Sequence, residues 1–254
     1  GAGAIAGVLT VSGAGTTVVR NITVVNADNA SDTSTLQVGN DAAATVLTIE
    51  GTVTGNSTGG ASAVVGNDLN ITAGLTAGGN GVTTVTFKGN VDAETDLALQ
   101  SADANGLVTI NIGDGTNAAV FSGSINMGNQ AATFATVSLA AGGTEIAGNI
   151  DLSTQAAGTH QKIINMAAGS KISGNISDTA QATILTINID GNAEISGSID
   201  TGDTTATNIA IDDTMTLTAS GTGAWVGGNV DIDMATDAIF KNTGAKAMTV
   251  IFDG

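Results

Sequence analysis

The chain has no cysteine, no proline and no tyrosine in 254 residues, with one histidine, one tryptophan and five phenylalanines. Without cysteine there is no disulfide framework, no thiolate metal site and no cysteine nucleophile. The lack of proline suits strands that are hydrogen-bonded on both sides, where a missing N–H would break the ladder. Aromatics make up 2% of the residues, so the core must be built from Val, Ile, Leu and Ala rather than from rings. Basic residues are scarce too: six Lys and Arg face 23 Asp and Glu, a net charge of −17. Such a chain is repelled by nucleic acid and by anionic membrane surfaces. No run of 18 consecutive apolar residues occurs, so no segment has the length of a membrane-spanning helix.

What the chain does have is glycine, 36 residues of it, set among Thr, Ser, Asn, Val and Ile. Short stretches alternate apolar and polar residues. In "VTINI", Val108, Ile110 and Ile112 share one face, and Leu185, Ile187 and Ile189 do the same further on. That is the period of a half-buried strand. Between the strands stand turns such as "GDG" and "AAG", whose residues tolerate positive φ. A longer rhythm lies over this one. The phrase Gly, then Asn or Ser, then Ile or Val recurs with its glycine at 89, 123, 148, 174, 197 and 228, and Gly51-Thr52-Val53 is a weaker earlier member.

Repetition at 20 to 40 residues is the mark of a solenoid. One unit of two or three short strands cannot bury its apolar face alone, and stacking units coil on coil does. The expected fold is all-β: a parallel β-helix of about ten irregular coils at roughly 23 residues each, forming a rod about 50 Å long. We expect one domain over residues 1–254, with a less regular section at 1–81 where the anchor phrase is mostly missing. Strands are expected there over residues 8–12, 17–25, 45–51 and 68–78. Ile125, Ile150, Ile176 and Ile199, which follow the anchors, join the alternating residues as expected inward positions.

Candidate chemistry is sparse. His160 stands among turn residues beside Gln161 and Lys162, without the partners that general-base catalysis needs. "GAGAIAG" at the start has loop-like glycine spacing but leads into a strand rather than a helix, so it is not a dinucleotide loop. Carboxylate pairs occur at Asp212–Asp213 and Asp231/Asp233, yet the basic and aromatic residues of a glycan-cleaving site are nearly absent. The best cation candidates are Asp231 and Asp233, two apart on a strand, with Asp237 joining from the next turn. Oxygen ligands of this kind suit Ca²⁺. "GGNGVTTVT" echoes a calcium-roll nonapeptide but carries Thr83 where the ligand Asp would stand.

The phrases "GTEIAGNID", "GSKISGNIS" and "NAEISGSID", set in Thr/Asn/Gly/Ala-rich, cysteine-free sequence, resemble the passenger regions of Gram-negative autotransporters and the repetitive parts of bacterial surface-layer proteins. The resemblance spans most of residues 84–254. It implies a non-catalytic structural protein on the outside of a bacterial cell, self-assembling into a homo-oligomeric array or filament, with contacts to envelope or surface glycan. The other reading is an autotransporter-like adhesin that binds host or glycan surfaces through loops such as 154–162 and 200–207. Near the C-terminus Met248, Val250 and Phe252 alternate as a further inward row, which either more of the parent chain or a neighbouring subunit is expected to cover.

Overall fold

The computed structural model describes residues 6–11, 15–26, 33–38, 45–57, 67–73, 82–91, 95–101, 107–116, 118–127, 134–152, 160–178, 183–201, 206–221, 225–226 and 229–242. Among the described residues every regular element is a strand and every ladder is parallel. Three sheets wind around one axis. The first holds nine strands, from Ala6–Val11 to Trp225–Val226. The second also holds nine, from Gly15–Val19 to Asn229–Met234. The third holds six, from Val120–Phe121 to Ile239–Asn242, and Ile22–Asn26 pairs with Val53–Ser57 in a short fourth. The chain visits the sheets in rotation and pairs each strand with its counterpart one coil on, so the protein is a parallel β-solenoid.

The expectation of about ten coils is not supported: among the described residues the two longest sheets are nine strands deep. The reason is uneven coil length. Leu185 pairs with Thr207, 22 residues on, whereas Thr45 pairs with Thr83, 38 residues on. Long coils in the N-terminal part take up chain that a uniform period would have spent on another turn. The strands expected at 8–12, 45–51 and 68–78 are found as Ala6–Val11, Thr45–Ile49 and Asn67–Ala73, in the same sheets as the later ones. The segment 17–25, expected as one strand, is broken at Arg20–Asn21 into Gly15–Val19 and Ile22–Asn26. Asn21 turns the corner, and its Oδ1 accepts the Thr52 N–H at 3.0 Å. The row Met248, Val250, Phe252 lies outside the described residues.

The core is a stack of aliphatic columns. Val108, Ile110, Ile112, Ile125, Ile150, Ile176, Leu185, Ile187, Ile189 and Ile199, the ten expected inward positions, are all fully buried. In the second sheet Ile110, Val137, Ile164, Ile187 and Ile209 stand one above another in register. Each such side chain contributes about 1.5–3 kcal/mol on burial. Among the described residues rings meet in two places, Phe87 with Phe121 edge to face at 5.6 Å and, near the far end, Trp225 with Phe240.

The recurring glycine has a steric cause. At 123, 148, 174 and 197 it sits at the tight corner between the third sheet and the first, where successive coils nearly touch; Gly51 and Gly89 instead follow strands of the second sheet, and Gly228 lies outside the described residues. A Cβ on Gly148 would lie 1.9 Å from the Gly123 carbonyl oxygen, and one on Gly174 or Gly197 would lie 1.8 Å from the carbonyl oxygen of Gly148 or Gly174. The residue after it supplies the missing hydrogen bond. Asn149 Oδ1 accepts the Asn175 N–H at 3.0 Å, and Asn175 Oδ1 accepts the Ser198 N–H at 3.0 Å and the Ser198 hydroxyl at 2.8 Å. The Ile that follows points inward. The three residues of the phrase thus divide the corner between them. Glycine permits the close approach, Asn or Ser makes the hydrogen bond, and Ile fills the core.

Candidate functional site

The expected cation ligands lie at the end of the second sheet. Asp231 and Asp233 are on its last strand, Asn229–Met234, and Asp233 is exposed. Asp237 is exposed in the following turn, with left-handed backbone at φ 59°. Met234, on the same strand, is 45% exposed. Its strand closes the sheet, so no further described coil stacks on it. Among the described residues no three His, Asp or Glu side chains gather as a metal-holding group. Asp212 and Asp213 are exposed at the turn after Ala206–Ile211. Burial and the charge of Asp212 together raise the pKa of Asp190, at the end of the strand one coil earlier.

His160 does not stand in a turn. It opens the strand His160–Met166 and pairs with Thr183. Of the two loops expected to read a surface, residues 153–159 and 202–205 lie outside the described residues, and the ends of both loops are core: Lys162, Thr201 and Thr207 are fully buried.

Lys162 is the residue that sequence reasoning missed. It lies in the register column between Ala135 and Leu185, pointing into the solenoid. Its Nζ donates to the Met127 carbonyl at 2.6 Å, and the carboxylate of Asp178, 4% exposed, faces it electrostatically from the next coil. One coil further, the Thr201 and Thr207 hydroxyls share a hydrogen bond of 2.8 Å. A polar string thus runs up one corner of an otherwise aliphatic interior. The available signal was alternation: Ile164 and Met166 follow Lys162 at the inward spacing.

Burial lowers the pKa of Lys162 from 10.5 to about 8, against the smaller opposing effect of Asp178. The unfolded chain holds this proton up to about 10.5, so between those values it binds more protons than the folded chain does. Stability contributed by this group therefore rises as pH goes from about 8 to about 10.5 and is flat below that window. The window is free of Cys and Tyr titration because the chain has neither. Urea midpoints measured from pH 7.5 to 10.5 should climb for the wild type, and Lys162→Met should remove most of that slope. An equal slope in the variant would place the proton uptake elsewhere.

Outside, the second sheet carries two columns of small polar side chains. Thr84, Thr109, Thr136 and Thr186 belong to one, with the half-buried Ile163 between the last two, and Thr86, Asn111, Ser138, Asn165 and Asn188 to the other. The second column is a hydrogen-bonded ladder. The Asn111 amide donates to Thr86 Oγ1 at 3.2 Å, that of Asn165 to Ser138 Oγ at 3.1 Å, and that of Asn188 to Asn165 Oδ1 at 2.8 Å. At the sheet's margin Lys88 bridges Glu50 at 3.0 Å and Asp114 at 3.7 Å, linking three coils, and its pKa is raised chiefly by the hydrogen bond to Glu50. The third sheet has its own cross-coil pair, Lys171 with Glu194 at 3.6 Å. Two shallow grooves border these rows. One is lined by Thr86, Asn111, Asp114 and Ser138, the other by Ser170, Lys171, Asn192, Glu194 and Thr216. Neither contains a histidine or an aromatic ring.

Fold and surface together define the class: a parallel β-solenoid with an aliphatic interior, an acidic exterior and cross-coil ladders of Asn, Ser and Thr. Comparison of the chain with protein-family models, curated proteins and solved structures finds no match.

Proposed function

We propose that this chain is a non-catalytic structural protein of the bacterial cell exterior, a β-solenoid subunit that assembles with copies of itself into a surface layer or filament. The observation that carries this reading is the uniform parallel stacking. The glycines, asparagines and inward aliphatics that make up the repeat are all engaged in joining one coil to the next. The end of the stack supports it too. Among the described residues Asn229–Met234 and Ile239–Asn242 are paired on one side only, and Met234 and Ile239 are 45% and 52% exposed. Strand edges of this kind are templates for another chain. Divalent cations such as Ca²⁺ bound near Asp231, Asp233 and Asp237 would lower the repulsion between subunits of net charge −17.

Electron microscopy of the purified chain with and without millimolar Ca²⁺ tests the reading. Ordered filaments or sheets are expected, formed more readily with Ca²⁺. Removing residues 247–254 should abolish them while strand content by circular dichroism persists, and Asp231→Asn with Asp233→Asn should weaken the Ca²⁺ dependence. A chain that stays monomeric under all these conditions is not an assembly subunit.

A further inference from the structure

We infer that the outer face of the second sheet is a lateral contact, where two copies of the chain lie side by side with their polar ladders facing. The inference rests on the self-assembly proposed above and names the surface that carries it. The first reason is charge. From Gly15–Val19 through Ala206–Ile211, eight strands, no side chain in the two columns is charged: Thr16 and Val18 stand at one end, Asn208 and Ala210 at the other. The other faces differ. The first sheet shows Asp151 and Asp200, and the third shows Glu145, Lys171 and Glu194. The uncharged run stops at Asp233, which is exposed in the column of Ala210. For a chain of net charge −17, columns free of carboxylates, with Glu50 and Asp114 at the margin bridged by Lys88, are where a second copy meets least repulsion.

The second reason is the cost of drying the face. Asn111, Asn165 and Asn188 already bond along the ladder to Thr86, Ser138 and Asn165. Part of their hydrogen-bonding capacity is met within the face, so less is lost when water leaves. In-register rows of this kind are the surfaces that interdigitate when two sheets pair. Two copies present the same rung spacing, so their rows match along the whole contact, and one two-fold axis makes the contact self-complementary. The third reason is size. Eight strands at about 4.8 Å and up to six residues at about 3.3 Å give a face of roughly 700 Å². A standard interface buries about 800 Å² per partner.

The test places like charges in the first column, away from the ladder bonds. Thr109→Asp with Thr186→Asp, and separately Thr109→Lys with Thr186→Lys, are compared with wild type and with the control Ser177→Asp plus Thr218→Asp on the other two faces. Circular dichroism and urea midpoints check that each variant folds. Assembly width is read by electron microscopy, and mass by sedimentation velocity. Wild-type assemblies are expected to be at least two rods wide. Both charged variants should give single-rod width and at least a tenfold weaker lateral association, while the control stays as wild type. The Lys variant separates face from net charge: it makes the chain less acidic, so loss of width there marks a direct contact. Wild-type filaments one rod wide, or unchanged width in both variants, overturn the face and leave the self-assembly reading standing. No assembly in any form overturns both. Binding of single wild-type chains to microcrystalline cellulose or chitin, lost in both charged variants, would assign the face to carbohydrate and overturn the inference.

Discussion

Replacing Ile187 with Asp should unfold the chain or cost at least about 4 kcal/mol, because a carboxylate would be buried with no partner. Ile187 is fully buried in the second sheet, paired with Ile164 on one side and Ile209 on the other, so the new charge would be enclosed by aliphatic side chains above and below. There is no path for it to reach water without opening the ladder on both sides. The neighbouring Thr186→Asp supplies the contrast. Thr186 points outward, and a charge there should change stability by about 0.5 kcal/mol or less. Urea denaturation followed by circular dichroism measures both. Equal midpoints for the two variants would show that the alternation has been assigned to the wrong faces.

Gly174→Ala should be nearly as damaging, although alanine adds one carbon. The added Cβ would lie 1.8 Å from the Gly148 carbonyl oxygen and 2.9 Å from the Asn149 nitrogen. Both are backbone atoms, and they cannot swing aside as a side-chain tip would. The coils would have to part at that corner. That strains the Asn175 to Asn149 hydrogen bond below and the Ser198 to Asn175 bonds above. Overpacking against fixed neighbours costs about 3 kcal/mol at the upper end of the usual range. Gly142 gives the control for spatial crowding, since a Cβ there meets nothing within 4 Å, though its φ of 92° adds backbone strain of its own. A Gly174→Ala melting curve coincident with wild type would mean that the corner has slack the geometry does not show. The effect bears on assembly as well, because a rod bent at one corner loses the straight face and matched rungs on which lateral contact depends.

Alternation alone identifies the residues that line the interior of the regular coils. In a strand, neighbouring side chains point to opposite faces, so Val108, Ile110 and Ile112, or Leu185, Ile187 and Ile189, declare the buried side without any knowledge of their neighbours in space. From Gly123 to Gly197 the recurring glycine likewise marks where each coil begins again, because its corner has no room for a Cβ. Which residues share a column is settled only by stacking in three dimensions. Partners lie 22 to 38 residues apart, and nothing in a strand's own alternation says how long the next coil will be. That is why a uniform period overestimates the coil number, and why Lys162 reads as part of a polar turn. Its side chain is inward only because His160–Met166 aligns with Thr183–Ile189, where the Met127 carbonyl and Asp178 from adjacent coils come within its reach. The break at Arg20–Asn21 has the same origin: an apolar run bends there because Asn21 finds Thr52 of the next coil. The proposed face is a tertiary property too, since Thr86, Asn111, Ser138, Asn165 and Asn188 form one ladder only when stacking brings their coils into register.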